Sequence, residues 1–247
     1  MTKESGTWLR RFHPGPAGGT RLICFPHAGG SAPYFHHVSR ELSPVLDVQA
    51  VQYPGRQERR HEPRITDIAG LADGVMAEIL PLADRPLAFF GHSMGAVVAF
   101  EVALRLREQG VAPLALFASG RRAPSCVREE TLHKESDQAL VAEVKSLGGT
   151  DPRMLDDPEL LAMVLPAMRA DYTAVMTYRC RPDAVVDSPV HVLVGDDDPQ
   201  VSQDEALRWK EHTGGAFEMK VFGGGHFYLN DHAPAVLRYI AETLSVR

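Results

Sequence analysis

Ser93 stands in Gly91-His92-Ser93-Met94-Gly95, with an apolar run before it (Pro86 to His92) and a second one after it (Met94 to Gln109). A serine hydroxyl is a weak nucleophile and needs a turn that exposes it and a base that takes its proton. A Gly-x-Ser-x-Gly turn between a strand and a helix supplies the first. It is so tight that a side chain on Gly91 or Gly95 would strike the adjoining strand or helix. The second is a histidine oriented by a carboxylate, and in this arrangement both follow later in the chain, acid first. Among the eleven histidines, His226 in Gly223-Gly224-Gly225-His226 combines late position, a preceding strand and a flexible approach. His92 is expected to point away from Ser93 Oγ into the interior, and His232 to cap or precede the final helix.

The acid lies in Asp196-Asp197-Asp198, directly after the apolar run Val190 to Gly195. Asp198 precedes Pro199, where the chain leaves the strand, and is the expected partner of His226. Asp196 and Asp197 are open to bonding the turn or facing solvent. No second acidic cluster with ligand spacing accompanies them, so no metal is expected. A developing oxyanion needs two backbone donors. The Met94 N–H opens the helix behind the serine. Ala28, in Cys24-Phe25-Pro26-His27-Ala28-Gly29-Gly30, follows the first apolar strand. Those glycines match neither the dinucleotide nor the P-loop pattern, so no nucleotide cofactor is expected.

These residues require strands that end together. The runs Arg21 to His27, Asp47 to Tyr53, Pro86 to His92, Pro113 to Ser119, Val190 to Gly195 and Phe217 to Gly223 are predicted strands. Their near-continuous apolarity suits strands covered on both faces. Helices are predicted over Pro33 to Leu42, Ile65 to Leu80, Met94 to Gln109, Gln203 to His212 and Ala233 to Leu244, with Gly110 ending the third. The alternation predicts a mostly parallel sheet between helices, and Thr7 to Pro14 an antiparallel edge strand. From about Glu129 to Tyr178 the pattern is helical throughout, predicting an insertion that acts as a lid. Within it Gly148-Gly149 closes one helix, Asp157 caps the next and Pro166 kinks or interrupts it. Met154, Met163, Met168 and Met176 are candidates for lining a chamber beneath it.

At 247 residues, 44% hydrophobic and 23% charged, the chain fits one ordinary globular domain. A net charge of -6 argues against nonspecific nucleic-acid binding, and Cys24, Cys126 and Cys180 suggest neither disulfide framework nor zinc site. With no apolar run of membrane-spanning length and no signal-like start, a cytoplasmic protein is expected.

The segments FPHAGGSA, YPGRQERRHEP, GHSMGA, LGGT, LPAMRADY, GDDDPQVS and GGGHFYL together resemble the type II, editing thioesterases of polyketide and nonribosomal peptide assembly lines. The resemblance spans nearly the whole chain. It implies an α/β-hydrolase fold, no cofactor, and hydrolysis of acyl thioesters from the phosphopantetheine arm of an acyl or peptidyl carrier protein. It implies a triad of Ser93, Asp198 and His226, with Ala28 and Met94 as oxyanion donors. The same triad also suits an esterase acting on free small esters. Asp151 stands in LGGTDP where a carrier's arm-bearing serine would stand, so the substrate is expected in trans. Carriers of this kind are acidic, which on a negative protein calls for a local basic patch. Arg56, Arg59 and Arg60 follow one strand, and Arg121 and Arg122 another, as candidate docking residues.

Overall fold

Seven strands form one sheet: β1 (Leu9–Arg10), β2 (Arg21–Phe25), β3 (Asp47–Val51), β4 (Leu87–His92), β5 (Leu116–Ser119), β6 (Val190–Gly195) and β7 (Phe217–Phe222), ordered β1-β3-β2-β4-β5-β6-β7. The computed structural model describes residues 8–150 and 152–245, so Asp151 lies outside the described residues. β1 runs antiparallel to β3, as its edge position in the sequence suggested, and every other pairing is parallel. This is the α/β-hydrolase fold.

The strands are apolar throughout because their alternate residues enter two separate cores. Ile23, Phe25, Phe89, Leu116, Ala118, Val190 and Val192 pack on one face, with α2 (Ile68–Ile79) and α3 (Met94–Glu108). Leu22, Cys24, Ala88, Phe90, Phe117 and Leu193 pack on the other. α1 (His36–Leu42) covers that second face with the C-terminal α9 (Ala233–Ser245).

Between β5 and β6 lies the helical insertion: α4 (Asp137–Leu147), α5 (Pro152–Asp156) and α6 (Pro158–Thr177). It has a small core of its own, in which Leu140, Val144, Leu155 and Met168 meet. Asp157 caps α6 through its Oδ1, which accepts from the amides of Glu159 at 2.8 Å and Leu160 at 3.1 Å. Gly148 ends α4 at φ 78°, in the left-handed region that favours glycine. Pro166 does not break α6, which continues through it for 20 residues. The remaining helices, α7 (Gln203–Leu207) and α8 (Tyr228–Asp231), are short. α8 went unpredicted because four residues carry too little periodicity to read. The predicted helix Gln203 to His212 changes to 3₁₀ geometry from Arg208.

The strands pair in register to their carboxyl ends, with His92 opposite Ser119 and Gly195 opposite Phe222. Loops bearing Ala28, Arg56, Ser93, Arg121, Asp198 and His226 therefore leave the same edge of the sheet. The turn after β4 is held by main-chain packing: a Cβ on Gly95 would lie 2.0 Å from the Phe25 carbonyl oxygen, and one on Gly91 2.3 Å from the Gly95 oxygen. Backbone atoms cannot yield as side-chain tips do. Gly95→Ala should therefore cost about 3 kcal/mol or more, the upper end of overpacking penalties. Gly110→Ala, where nothing stands within 4 Å, should cost about 1 kcal/mol from its positive φ alone. Urea unfolding of the two variants measures the difference.

Candidate active site

Ser93 occupies the tip of the β4–α3 turn at φ 54° and ψ −117°. A non-glycine residue at positive φ is strained, and the surrounding backbone over-determines it: its amide donates to the Ser119 carbonyl at 2.8 Å while its own carbonyl accepts from Ala96 at 3.1 Å. Ser93 Oγ lies 3.0 Å from His226 Nε2, and His226 Nδ1 lies 2.9 Å from Asp198 Oδ2. A carboxylate only accepts, so Nδ1 carries the proton and Nε2 is left to accept from the serine hydroxyl. His226 and Asp198 are both buried, and Asp198 Oδ1 also accepts from the Gln200 amide at 2.8 Å. The arrangement can deprotonate Ser93 as it attacks an electrophilic carbon.

The other two aspartates do different work. Asp196 Oδ1 accepts from the Gly224 amide at 2.8 Å, and the Asp197 amide donates to the Gly224 carbonyl at 3.0 Å. Both side chains are exposed, and the pair pins the loop that carries His226. His92 does point inward: Nδ1 bonds Ser119 Oγ at 3.0 Å, which bonds Tyr228 OH at 2.7 Å. His232 precedes α9, with Nε2 donating to the Gly223 carbonyl at 2.9 Å.

Ser93, His226 and Ala28 line one narrow cavity of about 40 Å³. The insertion supplies much of its wall, including Val144, Leu147, Tyr172, Val175 and Met176. Of the four methionines expected there, Met176 lines it. Met168 instead packs against Gly29, Met163 is exposed, and Met154 is half-buried away from it. Gly149 allows the Phe227 ring to sit against the end of α4, where a Cβ would come within 1.9 Å of it.

The expectation of a docking patch is revised for most of its arginines. Arg56 is buried and spends its donors on Asp171, at 2.6 and 2.7 Å, and on the Gly30 carbonyl at 2.9 Å. Arg59 binds the Gln52 carbonyl at 2.7 Å and Glu62 at 2.6 Å while stacking on Trp8. Arg122 is buried against Glu130 at 2.5 Å. A guanidinium so occupied has little to offer a docking partner. Arg60 remains exposed, and Arg121 lines the cavity.

Asp171 was not anticipated, although a lone acid within the apolar stretch of α6 is a legible signal. Its Oδ2 also accepts from the Gly29 amide at 2.7 Å, so the Arg56–Asp171 pair grips the loop carrying Ala28 from both sides. His27 was likewise missed. Its ring packs edge-on against Phe227 at 4.9 Å and Tyr34 at 4.8 Å, and lies 5.9 Å from His92. Burial, then the neighbouring His226, holds His27 down to about 3, and the same causes in the same order hold His92 well below the usual histidine range. Both stay neutral beside His226.

The sheet, the strained turn and the order serine, aspartate, histidine define an α/β-hydrolase. The Thioesterase domain family matches residues 20–244. The chain is 49% identical over 248 residues to Thioesterase PikA5 of Streptomyces venezuelae, covering 100% of this chain and 88% of that protein. It is 51% identical over 237 residues to the probable cadicidin biosynthesis thioesterase of Streptomyces griseus, covering 96% of this chain and 66% of that one. The solved type II thioesterase BorB from the borrelidin biosynthetic cluster superposes with TM-score 0.92 at 48% identity, over 98% of this chain and 100% of that one. The chain belongs to the thioesterase family, as its motifs implied. Among the described residues no helix is long and apolar enough to cross a membrane.

Two outcomes are expected. Asp171→Asn should lower stability by about 3 kcal/mol or more, since it leaves a buried guanidinium uncompensated. Arg56→Met combined with Asp171→Leu should recover part of that loss, as a denaturation double-mutant cycle reads directly. Below pH 6.5 the unfolded chain takes up protons that folded His27 refuses, so stability falls as pH falls from 6.5 towards 3. The His27 share between pH 7 and pH 5 is about 2 kcal/mol. Unfolding His27→Gln at both pH values should show a correspondingly smaller acid loss.

Proposed function

We propose that the chain hydrolyses acyl groups from the phosphopantetheine arm of an acyl or peptidyl carrier protein, clearing stalled intermediates in polyketide or nonribosomal peptide synthesis. The observation that carries this is the Ser93–His226–Asp198 relay opening into a cavity walled in part by the insertion. Ser93 Oγ attacks the thioester carbonyl as His226 Nε2 takes its proton. The tetrahedral oxyanion is met by the Ala28 and Met94 amides. Collapse expels the arm's thiolate, which takes the proton from His226, and leaves an acyl ester on Ser93. Water then attacks that ester with His226 again as base, releasing the acid and restoring the serine.

Val144, Leu147, Val175 and Met176 give the cavity an apolar wall suited to an acyl group. The names of the relatives support the setting: BorB belongs to a borrelidin cluster, and YbtT, 30% identical with TM-score 0.87, is a type II thioesterase from a yersiniabactin NRPS/PKS pathway. In this reading the insertion acts as a lid over the site.

Ser93→Ala should abolish the acyl-enzyme seen by mass spectrometry and lower kcat by about 10³-fold or more. Asp198→Asn should lose far more activity than Asp196→Asn or Asp197→Asn, because Asp198 alone orients the imidazole. Equal losses at all three would assign the run a structural role. Hydrolysis of free small esters at a kcat/KM equal to that for acyl-carrier thioesters would favour the esterase reading.

A further inference from the structure

The turn after β2 carries three successive amides, and two of them have partners within the chain. Gly30 donates to the His27 carbonyl at 2.9 Å, and Gly29 donates to Asp171 Oδ2 at 2.7 Å. Among the described residues nothing accepts from the third amide, that of Ala28, a residue lining the cavity with Ser93. A free amide in an otherwise bonded turn is ready for an oxygen from outside the chain.

Asp171 selects the form of that turn. Of its two central residues Gly29 alone has a positive φ, 77°, which makes the turn type II. The type I form differs by a half-rotation of the peptide between Ala28 and Gly29, the peptide whose N–H Asp171 accepts. So rotated, the Ala28 carbonyl would face the Asp171 carboxylate, and two acceptors repel. The carboxylate itself cannot turn away, being fully buried and held at both oxygens by Arg56. It lies one turn of α6 beyond Met168, whose side chain packs on Gly29. Just past the end of α6, the Tyr178 hydroxyl donates to Glu101 Oε1 at 2.7 Å. Glu101 belongs to α3, the helix that opens with Met94.

We infer that Asp171 is a positioning residue of the oxyanion hole. By fixing the turn at Gly29 it aims the Ala28 amide, one peptide back, and so brings α6 into the apparatus that stabilises the transition state. This role rests on Ser93 being the acyl acceptor and Ala28 an oxyanion donor. Asp171 touches no reacting atom and acts through the turn alone. An amide so aimed matters when charge develops on the carbonyl oxygen, not when substrate binds. Loss of Asp171 therefore falls on kcat and spares KM.

The native chain, Asp171→Asn and the double variant Arg56→Met with Asp171→Leu are compared on the propionyl thioester of N-acetylcysteamine. Activity is expressed per folded molecule, from urea curves of the same preparations. Asparagine keeps an oxygen for Gly29 but strands Arg56, whereas the double variant relieves Arg56 and leaves Gly29 no acceptor. The double variant should therefore be the more stable of the two and the less active. Its kcat should fall about 10²-fold, the scale of one oxyanion donor, with KM within about threefold of native. Propylboronic acid, which sets a tetrahedral anion on Ser93, should bind it correspondingly more weakly. The ratio of KM to that inhibition constant is read within one preparation, so a folding defect cancels. It should also fall in Asp171→Asn, which gives a result even if the double variant does not fold. Activity that follows stability across the variants, or an unchanged ratio, overturns the positioning role. A native chain that forms no acyl ester on Ser93 overturns the reading beneath it as well.

Discussion

The geometry of the site depends on one buried ion pair. Asp171 comes from the insertion and Arg56 from the loop after β3, and between them they hold the main chain of Gly29 and Gly30 after β2. Three segments distant in sequence are thereby fixed to one another by four hydrogen bonds with defined directions. A hydrophobic contact of equal area would let the loop slide. Two directional bonds to one backbone turn do not, which is what an amide aimed at a transient oxyanion requires. The pair's net contribution to stability is modest beside its desolvation cost. What it supplies is position.

The strained turn at Ser93 is fixed by other means. Main-chain atoms of α3 and of the strand end at Phe25 approach the turn until only glycine fits at positions 91 and 95. The histidine loop is fixed by a third device, the bonds between Gly224 and the two exposed aspartates. Packed behind it are two histidines kept neutral by burial, His92 against the His226 ring and His27 against His92 and Phe227, and neither competes for its proton.

Much of this was legible in the sequence, and what was not has a common cause. The strand runs, the turn at Ser93 and the placement of His226 are local signals, each carried by a few adjacent residues. Asp198 was distinguishable from its neighbours because Pro199 marks where the chain departs from the strand. Arg56 was misjudged because it meets a residue 115 positions on, which no local pattern announces, whereas Arg59 and Arg122 pair with the nearby Glu62 and Glu130. The methionines failed similarly. Composition placed them in the insertion, but which face of α6 meets the cavity depends on how the insertion docks, and only Met176 among them lines it.

The insertion's separate small core has a consequence for how such a protein diversifies. Leu140, Val144, Leu155 and Met168 pack among themselves rather than into either core of the sheet. Apart from Met168, which also packs on Gly29, substitutions there perturb a unit set apart from the sheet's two cores, so their costs sum with those of changes elsewhere instead of compounding. Val144 belongs to that unit and also faces the cavity. The chamber can thus be resculpted through the insertion while the reactive apparatus stays as it is, and a lineage can explore new acyl groups without risking its chemistry.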